Sequence, residues 1–102
     1  MEDDYKAFRH YLKSLDKTSL RKLCSLAGFN ESEMLFIVPF FGCGKSEDFI
    51  ADNLVNQSVD AFHKNKRKYI RRLQHFCHQI YLPENTPYAE RMRILDEYIR
   101  SH

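Results

Sequence analysis

Apolar residues recur three and four positions apart along nearly the whole chain, the spacing of one helix face, while two-residue alternation is almost absent. Phe8, Leu12 and Leu15, flanked by Tyr5 and Tyr11, predict a helix from about Asp3 to Leu15. Asp3 and Asp4 sit at the end where the helix dipole favours acids. Leu20, Leu23, Cys24 and Ala27 predict a short second helix from about Thr18 to Ala27, stopped by Gly28. Asn30 then reads as an N-cap, with Glu33 as its capping-box partner. The helix it opens carries the apolar run Met34 to Phe41, which belongs mostly in the core, and Pro39 should kink or end it.

Gly42 and Gly44 break the chain in "GCGK". Ser46 caps a helix of roughly Glu47 to Leu54 that turns Phe49, Ile50 and Leu54 inward. After the polar break "VNQ", Ser58 is a further N-cap, and an amphipathic pattern runs from it to about Tyr81. At 100° per residue, Phe62, Tyr69, Leu73, Phe76 and Ile80 share one side of that helix. Lys64, Arg67, Arg71 and His78 fall nearly opposite, with Lys68 and His75 beside them. "LPENTP" ends the helix, and a last one, about Tyr88 to Arg100, turns Met92, Leu95 and Ile99 inward. The pattern predicts an all-α fold, one compact domain of five or six helices over residues 1–102.

Composition agrees with helices. The chain has 43% hydrophobic and 29% charged residues, a globular balance, and only three Gly and three Pro to make turns. The eight-residue apolar run is too short to span a bilayer, and the acidic opening "MEDDYK" does not read as a signal peptide. Three cysteines, Cys24, Cys43 and Cys77, without close paired spacing read as free thiols of a reducing cytosol. The expected location is therefore cytoplasmic, with no membrane partner.

Charge changes the picture more. Lys64, Lys66, Arg67, Lys68, Arg71 and Arg72 put +6 into nine residues of a chain whose net charge is +2, which leaves −4 on the other 93. An ordinary wet helix face mixes its charges, because acids four residues away support the helix. Here like charges stack with no acid in the window, a mild cost that a polyanion would offset through counterion release.

The two helical segments of "KSEDFIADNLVNQSVDAFHKNKRKY", joined by a short polar break, have the layout of a DNA-binding helix-turn-helix over about 46–72. Ala51 would let the first helix approach the second. From "ESEMLF" through Gly42 and Gly44 and "SEDFIADNL" to "SVDAFHKNKRK", about 45 of the 102 residues, the chain resembles the promoter-reading domain of bacterial sigma factors. It is also similar to the effector domain of response regulators. In those families the turn carries a glycine where Val55 stands, and the break here is one residue longer. The resemblance implies a DNA-binding regulator or a small mobile-element protein, and the expected function is that of a small bacterial or phage transcriptional regulator that binds double-stranded DNA through its long basic recognition helix.

The DNA-binding residues expected are His63, Lys64, Arg67, Lys68, Arg71 and Arg72. Lys64 and Arg67 lie in the first turns, which read bases, whereas Arg71 and Arg72 are expected on phosphates. Two other readings stay open: a helical protein-interaction module whose basic face meets an acidic partner, and RNA binding by the same helix. Tyr81, Tyr88 and Tyr98 offer a homodimer contact. "HFCH" lacks the paired spacing of a zinc site, and "GCGK" is too short for a phosphate-cradling loop. No enzyme, metal, cofactor or small-molecule substrate is expected.

Overall fold

A computed structural model describes residues 2–80 and 87–102, and the side chains among them from Tyr5 onward. Among the described residues there are seven helices and no strand. They are α1 (Glu2–Ser14), α2 (Lys17–Leu26), α3 (Glu31–Met34), α4 (Val38–Cys43), α5 (Glu47–Asn53), α6 (Val59–Ile80) and α7 (Tyr88–Ser101). None is long and apolar enough to cross a membrane. The all-α expectation holds, with one or two more helices than the pattern suggested. The segment "LPENT" and Tyr81 lie outside the described residues.

Helix starts follow their caps. The Asp16 carboxylate accepts from the Ser19 amide at 2.7 Å. Asn30 and Glu33 form the reciprocal capping box, each bond 2.9 Å. Ser46 Oγ accepts from the Phe49 amide at 3.1 Å, and Ser58 Oγ from the Ala61 amide at 3.2 Å. Gly28 and Gly44 take left-handed backbone at φ 87° and 68° and stop α2 and α4.

The apolar run departs from expectation. Instead of one helix interrupted at Pro39, a four-residue helix ends at Met34 and a second begins at Val38. Pro39 stands in the first turn of α4, where its missing N–H costs nothing, so it starts a helix rather than breaking one. Gly42 is no chain break either. It lies inside α4, where a Cβ would come within 3.2 Å of the Lys17 Cα, so its bare backbone sets how closely α4 lies on α2.

Two cores result. The larger unites α1, α2, α4, α7 and the C-terminal half of α6 around Leu12, Leu23, Ile37, Ile70, Leu73 and Leu95. The smaller joins Phe36, Ile50, Ala51 and Phe62, and so seats α5 against the start of α6. Phe40 and Tyr69 pack against both. Along α6 the rings form a column: Phe62 stacks on Phe36 at 5.5 Å, Phe36 meets Tyr69 at 5.1 Å, and Tyr69 meets Phe29 edge-on at 5.9 Å.

The buried stripe of α6 is Phe62, Lys66, Ile70, Leu73 and Cys77, with Tyr69, Phe76 and Ile80 half-buried beside it. It is turned by about 50° from the stripe predicted from hydrophobicity. The cause is Lys66, a charged residue at the centre of the buried face and only 4% exposed. On α5, Ile50 is buried as expected and Ala51 with it, but Phe49 and the C-cap Leu54, expected inward, stand 42% and 38% exposed.

Candidate nucleic-acid interface

The pair α5–α6 is built by its turn. The amides of Leu54 and Val55 both donate to the Ile50 carbonyl, at 3.0 and 3.1 Å, and Gln57 N donates to Ala51 O at 2.9 Å. Asn56 takes the left-handed conformation, φ 53°, that a glycine would otherwise supply. Asn65 Nδ2 then donates to Gln57 Oε1 at 3.1 Å, tying the turn to the second turn of α6. Ala51 is fully buried where the two helices meet, as its size suggests.

The six cations of the basic run separate into two classes. Two are paired with acids, Lys66, which is buried, and Arg72, which is exposed. Lys66 Nζ lies 2.9 Å from Glu47 Oε2, at the start of α5, and 3.7 Å above the Phe40 ring. His63 Nδ1 reaches the same Glu47 oxygen at 3.1 Å. Burial alone would raise the Glu47 carboxyl, yet its bonds to Lys66 and His63 outweigh burial and hold it below the usual range. Arg72 NH1 lies 2.6 Å from Glu33 Oε2, and its NH2 donates to the Gly28 carbonyl at 3.3 Å. Its guanidinium covers the Phe29 ring at 4.1 Å, capping the aromatic column. The hydrogen bond to Arg72 is the main cause that lowers the Glu33 carboxyl, aided by the Asn30 amide.

The other four make no ion pair. Lys64, Arg67, Lys68 and Arg71 are all exposed, and none has a carboxylate in ion-pair contact among the described residues, although the charge of Lys68 helps to lower the Glu33 carboxyl. Arg67 and Arg71 lean on the ring of Tyr5 from α1, at 5.6 and 4.7 Å. Lys68 lies 5.7 Å from the Tyr69 ring.

Thus, of the six residues expected to meet DNA, Lys64, Arg67, Lys68 and Arg71 share one exposed face. His63 is exposed but engaged with Glu47, and Arg72 is committed to Glu33 and Phe29. Sequence reasoning missed the contribution of α1. Lys6, Arg9, His10 and Lys13 line one shallow surface of that helix, and Arg9 lies 5.9 Å from the same Tyr5 ring. The signal was present as helical spacing, but the acids Glu2, Asp3 and Asp4 offset it in any count of charge.

Other polar groups assemble no competing site. Cys24 and Cys77 are buried, and burial pushes the Cys24 thiol up to about 12. Cys43 is exposed. Among the described residues no cluster of three His, Cys, Asp or Glu side chains is placed to hold a metal ion. Tyr88 donates to the Ala7 carbonyl at 3.0 Å, and Tyr98 packs against Phe76 and stacks on His102 at 4.1 Å. No family model, curated protein or solved structure matches the chain.

Proposed function

We propose that the chain binds double-stranded DNA, with α5 and α6 acting as a helix-turn-helix and the outward face of α6 lying in the major groove. It serves as a small transcriptional regulator, the role its resemblance to sigma-factor and response-regulator domains implies. The observation that carries this reading is the selective neutralisation of the basic run. Lys66 is paired with Glu47 and Arg72 with Glu33, while Lys64, Arg67, Lys68 and Arg71 make no ion pair among the described residues. Beyond Asp60 in the first turn, that face of α6 carries cations and no acid, and like charges along one face favour a polyanion.

Each part has a physical role. The first three turns of α6 expose Asp60, His63, Lys64, Arg67 and Lys68, and it is from its first turns that a recognition helix reaches base edges. Lys64 can donate to the acceptor edge of guanine, while Lys68 and Arg71 suit the phosphates that flank the groove. Glu47 serves twice, as a first-turn acid of α5 and as the partner that locks α5 to α6 through Lys66. The test is binding of the full chain to random-sequence duplex DNA at two salt concentrations. Lys64→Ala is expected to weaken binding and lower the salt slope by about 1. Binding to an acidic protein and not to duplex DNA at low salt would replace this reading with the protein-interaction alternative.

A further inference from the structure

Three guanidiniums converge on one aromatic ring. Arg9 of α1 and Arg67 and Arg71 of α6 lie 5.9, 5.6 and 4.7 Å from the Tyr5 centroid. A neutral ring attracts each cation, but it does nothing to screen the three from one another. A ring contact also leaves guanidinium N–H donors unused. Among the described residues no hydrogen-bond acceptor serves Arg9, Arg67 or Arg71, and no carboxylate forms an ion pair with them. Arg9 Nε is shielded from solvent as well, and still has no acceptor. Elsewhere along the same helix Arg72, also stacked on a ring, has both a carboxylate and a carbonyl. The contrast leaves the Tyr5 cluster, among the described residues, a group of cations without an anion of its own.

We infer that Tyr5, Arg9, Arg67 and Arg71 form a phosphate-binding site between α1 and α6. A phosphoryl group offers several charged oxygens around one centre, which matches convergent guanidinium forks better than the two oxygens of a carboxylate. Tyr5 holds the forks in place, and its own hydroxyl, which has no partner among the described residues, is a further donor. The phosphate has two sources, a backbone phosphodiester of DNA lying on α6 or a free phosphoester. The first rests on the DNA-binding reading; the second does not.

The experiment uses the full chain, with arginine Nε–Hε resonances followed by NMR during titration with inorganic phosphate and with pyrophosphate. Duplex DNA affinity is measured in parallel for Arg9→Gln, Arg71→Gln and Lys64→Ala, each verified as folded by its thermal melt. For a backbone site, Arg9→Gln and Arg71→Gln each weaken DNA binding several-fold and lower the salt slope by about 1. For a free phosphoester, pyrophosphate shifts the Arg9, Arg67 and Arg71 signals saturably, and Arg9→Gln abolishes the response whether or not DNA binds. If Lys64→Ala weakens DNA binding while both arginine variants leave it unchanged, and neither phosphate moves the signals, the site is refuted and the DNA reading stands. If neither DNA nor phosphate binds, both are refuted. Saturation of the same signals by an acidic peptide, without response to phosphate or DNA, also overturns the site.

Discussion

Lys66 and Glu47 form one ion pair whose two ends sit in different surroundings. The lysine side chain is 5% exposed, whereas Glu47 is 29% exposed. Removing the acid strands a cation in the core; removing the cation leaves an acid that water can reach. Glu47→Gln is therefore expected to cost toward the low end of the about 3–5 kcal/mol typical of a broken buried pair. Lys66→Met, which keeps the contact with Phe40, is expected to cost less, and chemical denaturation of both variants measures the difference. The same pair makes stability depend on acid. Glu47 has a folded pKa below its ordinary 4.5, so its contribution is fully present above that value. It is lost as pH falls through the lower folded pKa, and the acid side of the stability curve should be shallower in Glu47→Gln. Arg72, though exposed, is also paired with an acid. Arg72→Ala is expected to lower stability by about 1 kcal/mol, given a half-exposed pair and a ring contact, while affecting duplex binding less than Lys64→Ala does.

At the scale of elements, what the sequence displayed was local. Asn30 with Glu33, Ser46 and Ser58 mark three helix starts, and Gly28 and Gly44 two stops, because a cap is a contact between near neighbours. What it concealed depends on distant partners. Lys66 reads as surface until Glu47, nineteen positions earlier, is seen against it, and the buried stripe of α6 cannot be centred correctly without that pair. Gly42 reads as a break until α2 is seen pressed on it. Pro39 has one sequence signature for both ending and starting a helix. The basic stripe of α1 became part of the candidate site only when Tyr5 was found beside Arg67 and Arg71. The recentred stripe has a direct consequence: Leu73→Ala, at a fully buried site, should cost about 2–5 kcal/mol. Ile70→Ala should cost as much, although hydrophobic periodicity left Ile70 off the inward face. Gly42→Ala is expected to destabilise by about 1–3 kcal/mol, since its Cβ meets backbone that cannot rotate away.

For the whole molecule, the two cores divide the labour. The larger one fixes α1 and α7 against the C-terminal half of α6, and the smaller one holds α5 on its N-terminal half. A chain of net charge +2 thereby presents, among the described residues, a basic face without ion-paired acids that extends from α6 to Arg9 of α1. Salt dependence reads the proposed contact of that face with nucleic acid most directly. The affinity of the full chain for random duplex DNA, followed by fluorescence anisotropy over a range of salt, should fall linearly in log–log form. If Lys64, Arg67, Lys68 and Arg71 each neutralise a phosphate, the slope should be about −3 to −4. A slope near zero, or no binding at the lowest salt, would contradict the assignment of this face to nucleic acid.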